Sequence, residues 1–193
     1  MSIAERVEPP AAQLVTSLDA AQLENMEREL AKGNAEYRKD FLEGSPQDIR
    51  SRRLKQAVKR AQNLYGKLGD PQVKVMDKLL DQSTFDARRS YAERQRRQQD
   101  TLQTLRSLTT VSGGRDNTAG AATARNALRG LLERSMTSPD GAYRAYSNQL
   151  ADERCRLVAE FHNSTTPAQR AKAVETLKAY EADVKQLMGQ SNS

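Results

Sequence analysis

Tryptophan is absent from this chain, and cysteine and histidine occur once each, as Cys155 and His162. A single cysteine excludes an intramolecular disulfide and any metal site built from several thiolates, while leaving the redox compartment open. Aromatic residues make up only 5% of the 193 residues, so no large aromatic core is available. Runs of β-branched residues are nearly missing, which argues against strands buried on both faces. The longest apolar run is a few residues, too short to span a bilayer, and no apolar stretch of signal-peptide type follows the N-terminus. As it stands, the sequence reads as that of a soluble chain.

What is abundant is helix-forming: Ala, Leu, Gln, Arg, Glu and Lys dominate. With 37% hydrophobic residues and a mean hydropathy of -0.82, the chain can furnish amphipathic helices around a modest core. The expected fold is all-α, about seven amphipathic helices in an antiparallel bundle that divides into two helical subdomains.

The most legible stretch runs from Leu23 to Leu68. Leu23, Met26, Leu30, Tyr37 and Phe41 draw one apolar stripe, and Ile49, Leu54, Ala57, Ala61, Leu64 and Leu68 draw a second. Between them Gly44 can end a helix in the left-handed region, Ser45 can cap the next and Pro46 suits its first position. The two arms are expected to fold back on each other as a hairpin. Asp19, with Gln22 three residues on, has capping-box spacing, so the first helix should run from there to about Glu43 and the second from Pro46 to about Lys67.

Gly69-Asp70-Pro71 repeats the stop, cap and start signals before a short third helix carrying Val73, Met76, Leu79 and Leu80. A fourth helix is expected from about Phe85 to Leu108 with a long polar middle. Residues 109–120, TTVSGGRDNTAG, cluster Gly, Ser, Thr, Asn and Asp without apolar period and read as a linker. Leu128, Leu131 and Leu132 mark a fifth helix, Ser138-Pro139-Asp140 opens a sixth, and Thr166-Pro167 opens a seventh bearing Val174, Leu177, Tyr180, Val184 and Leu187. The resulting division is a flexible or briefly helical segment over 1–17, a four-helix subdomain over 18–108, the linker, and a three-helix subdomain over 121–193. The recurring cap signals reflect shared helix-start chemistry and do not make this a repeat protein.

Charge is distributed unevenly. Residues 1–49 hold 5 basic and 10 acidic residues, residues 50–97 hold 14 and 5, and the remainder 12 and 10. Arg50, Arg52, Arg53, Lys55, Lys59 and Arg60 load the second helix, and Arg88, Arg89, Arg94, Arg96 and Arg97 the fourth. These are the candidate residues for binding a polyanion, nucleic acid or anionic lipid, through nonspecific electrostatics. Against that, the preceding helix is acidic (Glu24, Glu27, Glu29, Glu36, Asp40, Glu43), so a hairpin would neutralise much of the charge internally. Few aromatics are placed for base stacking, and nucleic acid is the less expected partner.

Catalytic chemistry has little to stand on. Cys155 and His162 are seven positions apart on one expected helix, roughly 10 Å along its axis at about 1.5 Å per residue, too far for a dyad. Cys155 shares a face with Ala151 and Val158 and is expected to be a small buried filler. His162 near the helix end reads as a favourable polar terminus. No zinc-protease, nucleophile-elbow or phosphate-loop pattern occurs. No catalytic, cofactor-binding or metal-ligating residue is assigned, no cofactor is expected, and the chain is not expected to be an enzyme.

The stretch LDAAQLENMERELAKGNAEYRKDFLEG, followed by SPQDIRSRRLKQAVKRAQNLYGKLGDPQ and the Arg-rich SYAERQRRQQDTLQTL, resembles a family of uncharacterised bacterial helical lipoproteins, a domain-of-unknown-function family. TTPAQRAKAVETLKAYEADVKQL is similar to that family's closing helix. The resemblance implies export to the periplasm and anchoring through an acylated cysteine that follows a signal peptide. Neither stands in this sequence, so the expectation is a piece excised from an anchored parent, with membrane association only through that anchor. A weaker similarity, through LDAAQ and TPAQ, is to the Leu-Thr-x-x-Gln motif of Spy-type periplasmic chaperones, with Asp19 in place of Thr in the first and Thr165 in place of Leu before the second. No activity can be read directly. The function expected from the resemblance is a non-enzymatic helical interaction module of the cell envelope, chaperone-like, whose partner is another envelope protein; the alternative is polyanion binding.

Overall fold

A computed structural model describes residues 11–15, 17–111 and 118–190. Residues 11–15 form a helical turn, and seven longer helices follow: α1 (Ala20–Phe41), α2 (Pro46–Tyr65), α3 (Asp70–Asp81), α4 (Ala87–Val111), α5 (Thr118–Met136), α6 (Gly141–Asn163) and α7 (Pro167–Gln190). Among the described residues there is no strand, and the all-α fold is as expected.

Local chemistry explains where the helices begin. Asp19 Oδ1 accepts the Gln22 N–H at 2.7 Å while Gln22 Oε1 accepts that of Asp19 at 2.9 Å. Thr166 and Gln169 make the same reciprocal pair at the start of α7, and Ser45 and Asp48 at the start of α2, with Pro46 at its first position. LDAAQ and TPAQ are therefore both capping boxes, and cap chemistry alone accounts for their shared letters. Two terminators depart from expectation. Gly66, with φ +74°, ends α2, so that helix stops short of Lys67. Gly69, rather than Asp70, holds the cap position of α3, where its N–H donates to Gln72 Oε1 at 2.8 Å. Asp70 instead sits in the first turn, where the helix dipole favours a carboxylate.

The packing falls into two compact units that do not follow chain order: residues 1–42 with 86–147, and 43–85 with 148–193. The expected split at 109–120 is thus replaced by a discontinuous one. Helix occupies 109–111 and 118–120 at the edges of the expected linker, and residues 112–117 lie outside the described residues. The hairpin expectation also changes. α1 belongs to the first unit and packs on α4; α2 belongs to the second and packs on α3 and α7.

In the first unit α4 lies between α1 and α5. Tyr37 meets Ala87 and Tyr91, Asn34 meets Arg94 and Gln98, and Glu27 pairs with Arg106, an ascending series against a descending one, so α1 and α4 are antiparallel. Glu93 with Ser138 and Asp100 with Arg134 establish the same sense for α4 and α5. The apolar core is small: Ala12, Val15, Leu23, Leu105, Leu108 and Ala124, with Leu18, Met26, Ala127 and Leu128 against it. Burial pushes the Tyr37 hydroxyl pKa up, consistent with its phenol donating to the Ala87 carbonyl at 3.1 Å.

In the second unit Tyr65, Leu68, Leu79, Phe161 and Ala173 form the core. Phe161 meets the Tyr65 ring edge-on. Gln72, itself buried, donates to the Ser164 carbonyl and to Gln169, whose own amide donates to the Lys67 carbonyl at 2.8 Å. This chain ties the α2–α3 turn to the α6–α7 turn.

Each unit also buries one carboxylate. Glu93 accepts from Arg96 at 2.8 Å, Arg97 at 2.9 Å and Ser138 at 3.2 Å. Glu153 accepts the Thr84 hydroxyl at 2.6 Å and its N–H at 3.0 Å. Arg96 holds the Glu93 carboxyl below its usual range, against the cost of burial and with help from Arg97. Burial pushes Glu153 up, but the bonds from Thr84 outweigh it and leave the group lowered. Arg134 lowers Asp100 likewise.

Two outcomes are expected. Leu79, only 4% exposed, should cost about 3 kcal/mol when truncated to Ala, read from urea unfolding. Because all three carboxylates bind protons more weakly folded than unfolded, their stabilisation is complete above the ordinary carboxylate range and is lost as pH falls through the depressed folded values. Stability should therefore decline below about pH 4, and Glu153→Gln should be less stable than the parent at pH 7 yet lose less on acidification, measured as urea midpoints across that range.

Candidate functional site

Of the eleven cations singled out in the sequence, seven are engaged internally. Arg50 grips Asp77 through Nε and Nη2 at 3.2 and 2.9 Å and reaches Asp81 at 2.6 Å, clamping α2 to α3. Arg52 donates to the Glu43 carbonyl, and Arg53 lies over the Phe85 ring at 5.2 Å. On α4, Arg89 donates to the Ala142 carbonyl at 2.6 Å and covers the Tyr146 ring, Arg94 donates to Asn34 at 2.9 Å, and Arg96 and Arg97 hold Glu93. Lys55, Lys59, Arg60 and Arg88 have no side-chain partner among the described residues. The α2 members of the set lie in one unit and the α4 members in the other.

Three acids of the first arm have partners on α1 or α4. Glu24 and Glu29 pair with Arg28 and Lys32 on α1 itself, and Glu27 with Arg106 on α4. Two of these pairs are local to α1, and only that of Glu27 reaches a helix remote in sequence.

Two of the unpartnered lysines border a groove of about 470 Å³ in the second unit, lined by Ser51, Leu54, Lys55, Val58, Lys59 and Gln62 of α2 and Val73 of α3. Its floor is apolar, since Leu54, Val58 and Val73 are half-buried, and its lysines are exposed. The lining positions recur at steps of three and four, so the groove follows the α2 axis for roughly 16 Å at about 1.5 Å per residue.

The second half of α7 presents the opposite surface. Only its first turns are seated: Ala173 is buried, and Thr176 donates to the Leu64 carbonyl at 3.4 Å. From Leu177 to Gly189 every residue is exposed. Leu177, Tyr180, Val184 and Leu187 are 55, 53, 54 and 66% exposed, at steps of three, four and three that place them in one ridge. Glu181 and Asp183 fall to either side of it, whereas Lys178 and Lys185 point away. The sequence pattern located this stripe but implied a buried face; nothing local distinguishes a core stripe from an unpartnered one.

Cys155 departs from expectation, and His162 does so in part. Cys155 is exposed, and Ala151 and Val158 on the same face of α6 are exposed with it, because the helix turns Leu150, Glu153, Leu157 and Phe161 inward. His162 does stand in the last turn of α6, as expected of a polar terminus, but it is half-buried, with Nδ1 at 2.9 Å from the Tyr65 hydroxyl, and so also ties α6 to α2. Among the described residues no group of three or more His, Cys, Asp or Glu side chains could hold a metal ion, and no helix is long and apolar enough to cross a membrane.

Neither a curated protein nor a solved structure matches the chain. Residues 1–118, which span α1 to α4, match a family of unknown function (DUF6279), and the chain belongs to that family.

Proposed function

We propose that the chain is a non-enzymatic helical interaction module of a bacterial envelope lipoprotein, chaperone-like in that it holds other envelope proteins on exposed apolar helix surface. The observation that carries the reading is the α7 ridge, four large apolar side chains in register and more than half exposed. Contiguous exposed apolar surface of this kind is a mark of interaction sites. The envelope assignment is supported by the resemblance of the α1, α2 and α4 sequences to bacterial helical lipoproteins, and the chaperone-like character by the exposed apolar ridge itself. Membrane association would come from a lipid anchor encoded upstream.

A second reading, polyanion binding, draws on the four cations without partners, Lys55, Lys59, Arg60 and Arg88. It commands fewer residues than the sequence suggests, because the other candidates already pair with carboxylates, carbonyls or rings.

The purified chain is expected to slow aggregation of a chemically unfolded client, and Leu177→Glu with Val184→Glu to remove most of that effect without changing helix content by circular dichroism. An unchanged client time course in both proteins would sink the chaperone-like reading. The genomic sequence upstream of Met1 should encode a signal peptide ending in an acylatable cysteine; a reading frame without one would remove the envelope assignment. Binding to DNA or anionic vesicles that weakens steeply with salt would favour the second reading.

A further inference from the structure

The ridge and the groove are complementary surfaces on the same unit of the same chain. We infer that the second half of α7 of one copy seats in the α2 groove of a second copy, and reciprocally, to form a two-fold dimer. This rests on the reading of α7 as an interaction surface and names its partner.

Three observations carry it. In length, Leu177 to Leu187 span roughly 15 Å at about 1.5 Å per residue, close to the extent of the groove. In chemistry, an apolar ridge meets an apolar floor, and the acids Glu181 and Asp183 that flank the ridge meet Lys55 and Lys59 on the groove wall. Asp183 has no partner among the described residues, and Glu181 has only Lys185 on its own exposed helix face. In geometry, a copy cannot fill its own groove. The start of α7 is held to α2 by Gln169 on the Lys67 carbonyl and Thr176 on that of Leu64, and no Pro or Gly interrupts the helix between Pro167 and Gly189 to let its second half bend back. Because each copy carries both surfaces, the exchange can close on itself with two-fold symmetry.

Sedimentation equilibrium on the full chain tests the dimer. A species of twice the 21.5 kDa chain mass is expected at micromolar concentration. Lys55→Glu with Lys59→Glu should raise the dissociation constant roughly tenfold or more, as should Glu181→Lys with Asp183→Lys, since four exposed pairs are lost per dimer. The four substitutions combined should restore dimerisation, with circular dichroism confirming that every variant is folded. A monomer at all accessible concentrations overturns the inference, as does a dimer indifferent to Lys55 and Lys59, which would place α7 against α7. A monomer whose ridge still captures an unfolded client would remove self-pairing and leave the interaction reading intact; a charge-rescued dimer that captures no client would do the reverse.

Discussion

A chain with so few large apolar side chains cannot close its cores with hydrophobic contacts alone, and the buried carboxylates of Glu93 and Glu153 mark where polar chemistry takes over. Each receives more than one hydrogen bond, as a buried charge requires if its desolvation is to be offset. Glu93 on α4 holds Ser138, just before α6, and Glu153 on α6 holds Thr84, just before α4. Two of the arginines that look in sequence like a polyanion surface, Arg96 and Arg97, are the charged donors to the Glu93 carboxylate.

The same economy shapes the surface. Beyond Ala173, which is seated against the Tyr65 cluster, α7 is exposed from Leu177 to Gly189. About three turns of patterned apolar surface, from Leu177 to Leu187, thus continue into solvent, on a segment too short to be stable as an isolated helix in water. A ridge of this kind gains most from a partner that supplies a floor for it. The groove along α2 has the matching composition, and its lysines are the cations the internal network leaves unspent.

Helix existence was almost entirely legible in the sequence, because caps act within three or four residues. Asp19 with Gln22, Ser45 with Asp48 and Thr166 with Gln169 each specify a helix start through bonds between near neighbours. The stop at Gly66 was less legible: Gly66 and Gly69 are both capable terminators, and which one takes positive φ depends on how the turn meets α7. The pairing of helices was not legible. A stripe of leucines states that a helix has a face, not which helix covers it, so an apparent hairpin resolved into arms belonging to different units. Cys155 illustrates the same limit, since Ala151 and Val158 make its face apolar whether or not anything packs there. Of the candidate surfaces, the lysines of the groove were visible as charge, while the groove itself needs Val73 from another helix.

By itself the sequence determined the helical class, the positions of the caps and the amphipathic faces, because these follow from dihedral preferences and hydrogen bonds within a single turn. Its opening 118 residues also carry the family. Tertiary structure alone decided which carboxylates Arg50, Arg106 and Arg134 meet, that the two units interleave along the chain, and that the α7 stripe lies open. Those outcomes depend on contacts between residues 27 to more than 100 positions apart, such as Arg50 with Asp77 and Thr176 with Leu64, where the geometry of the assembled helices selects among partners that are equivalent as sequence.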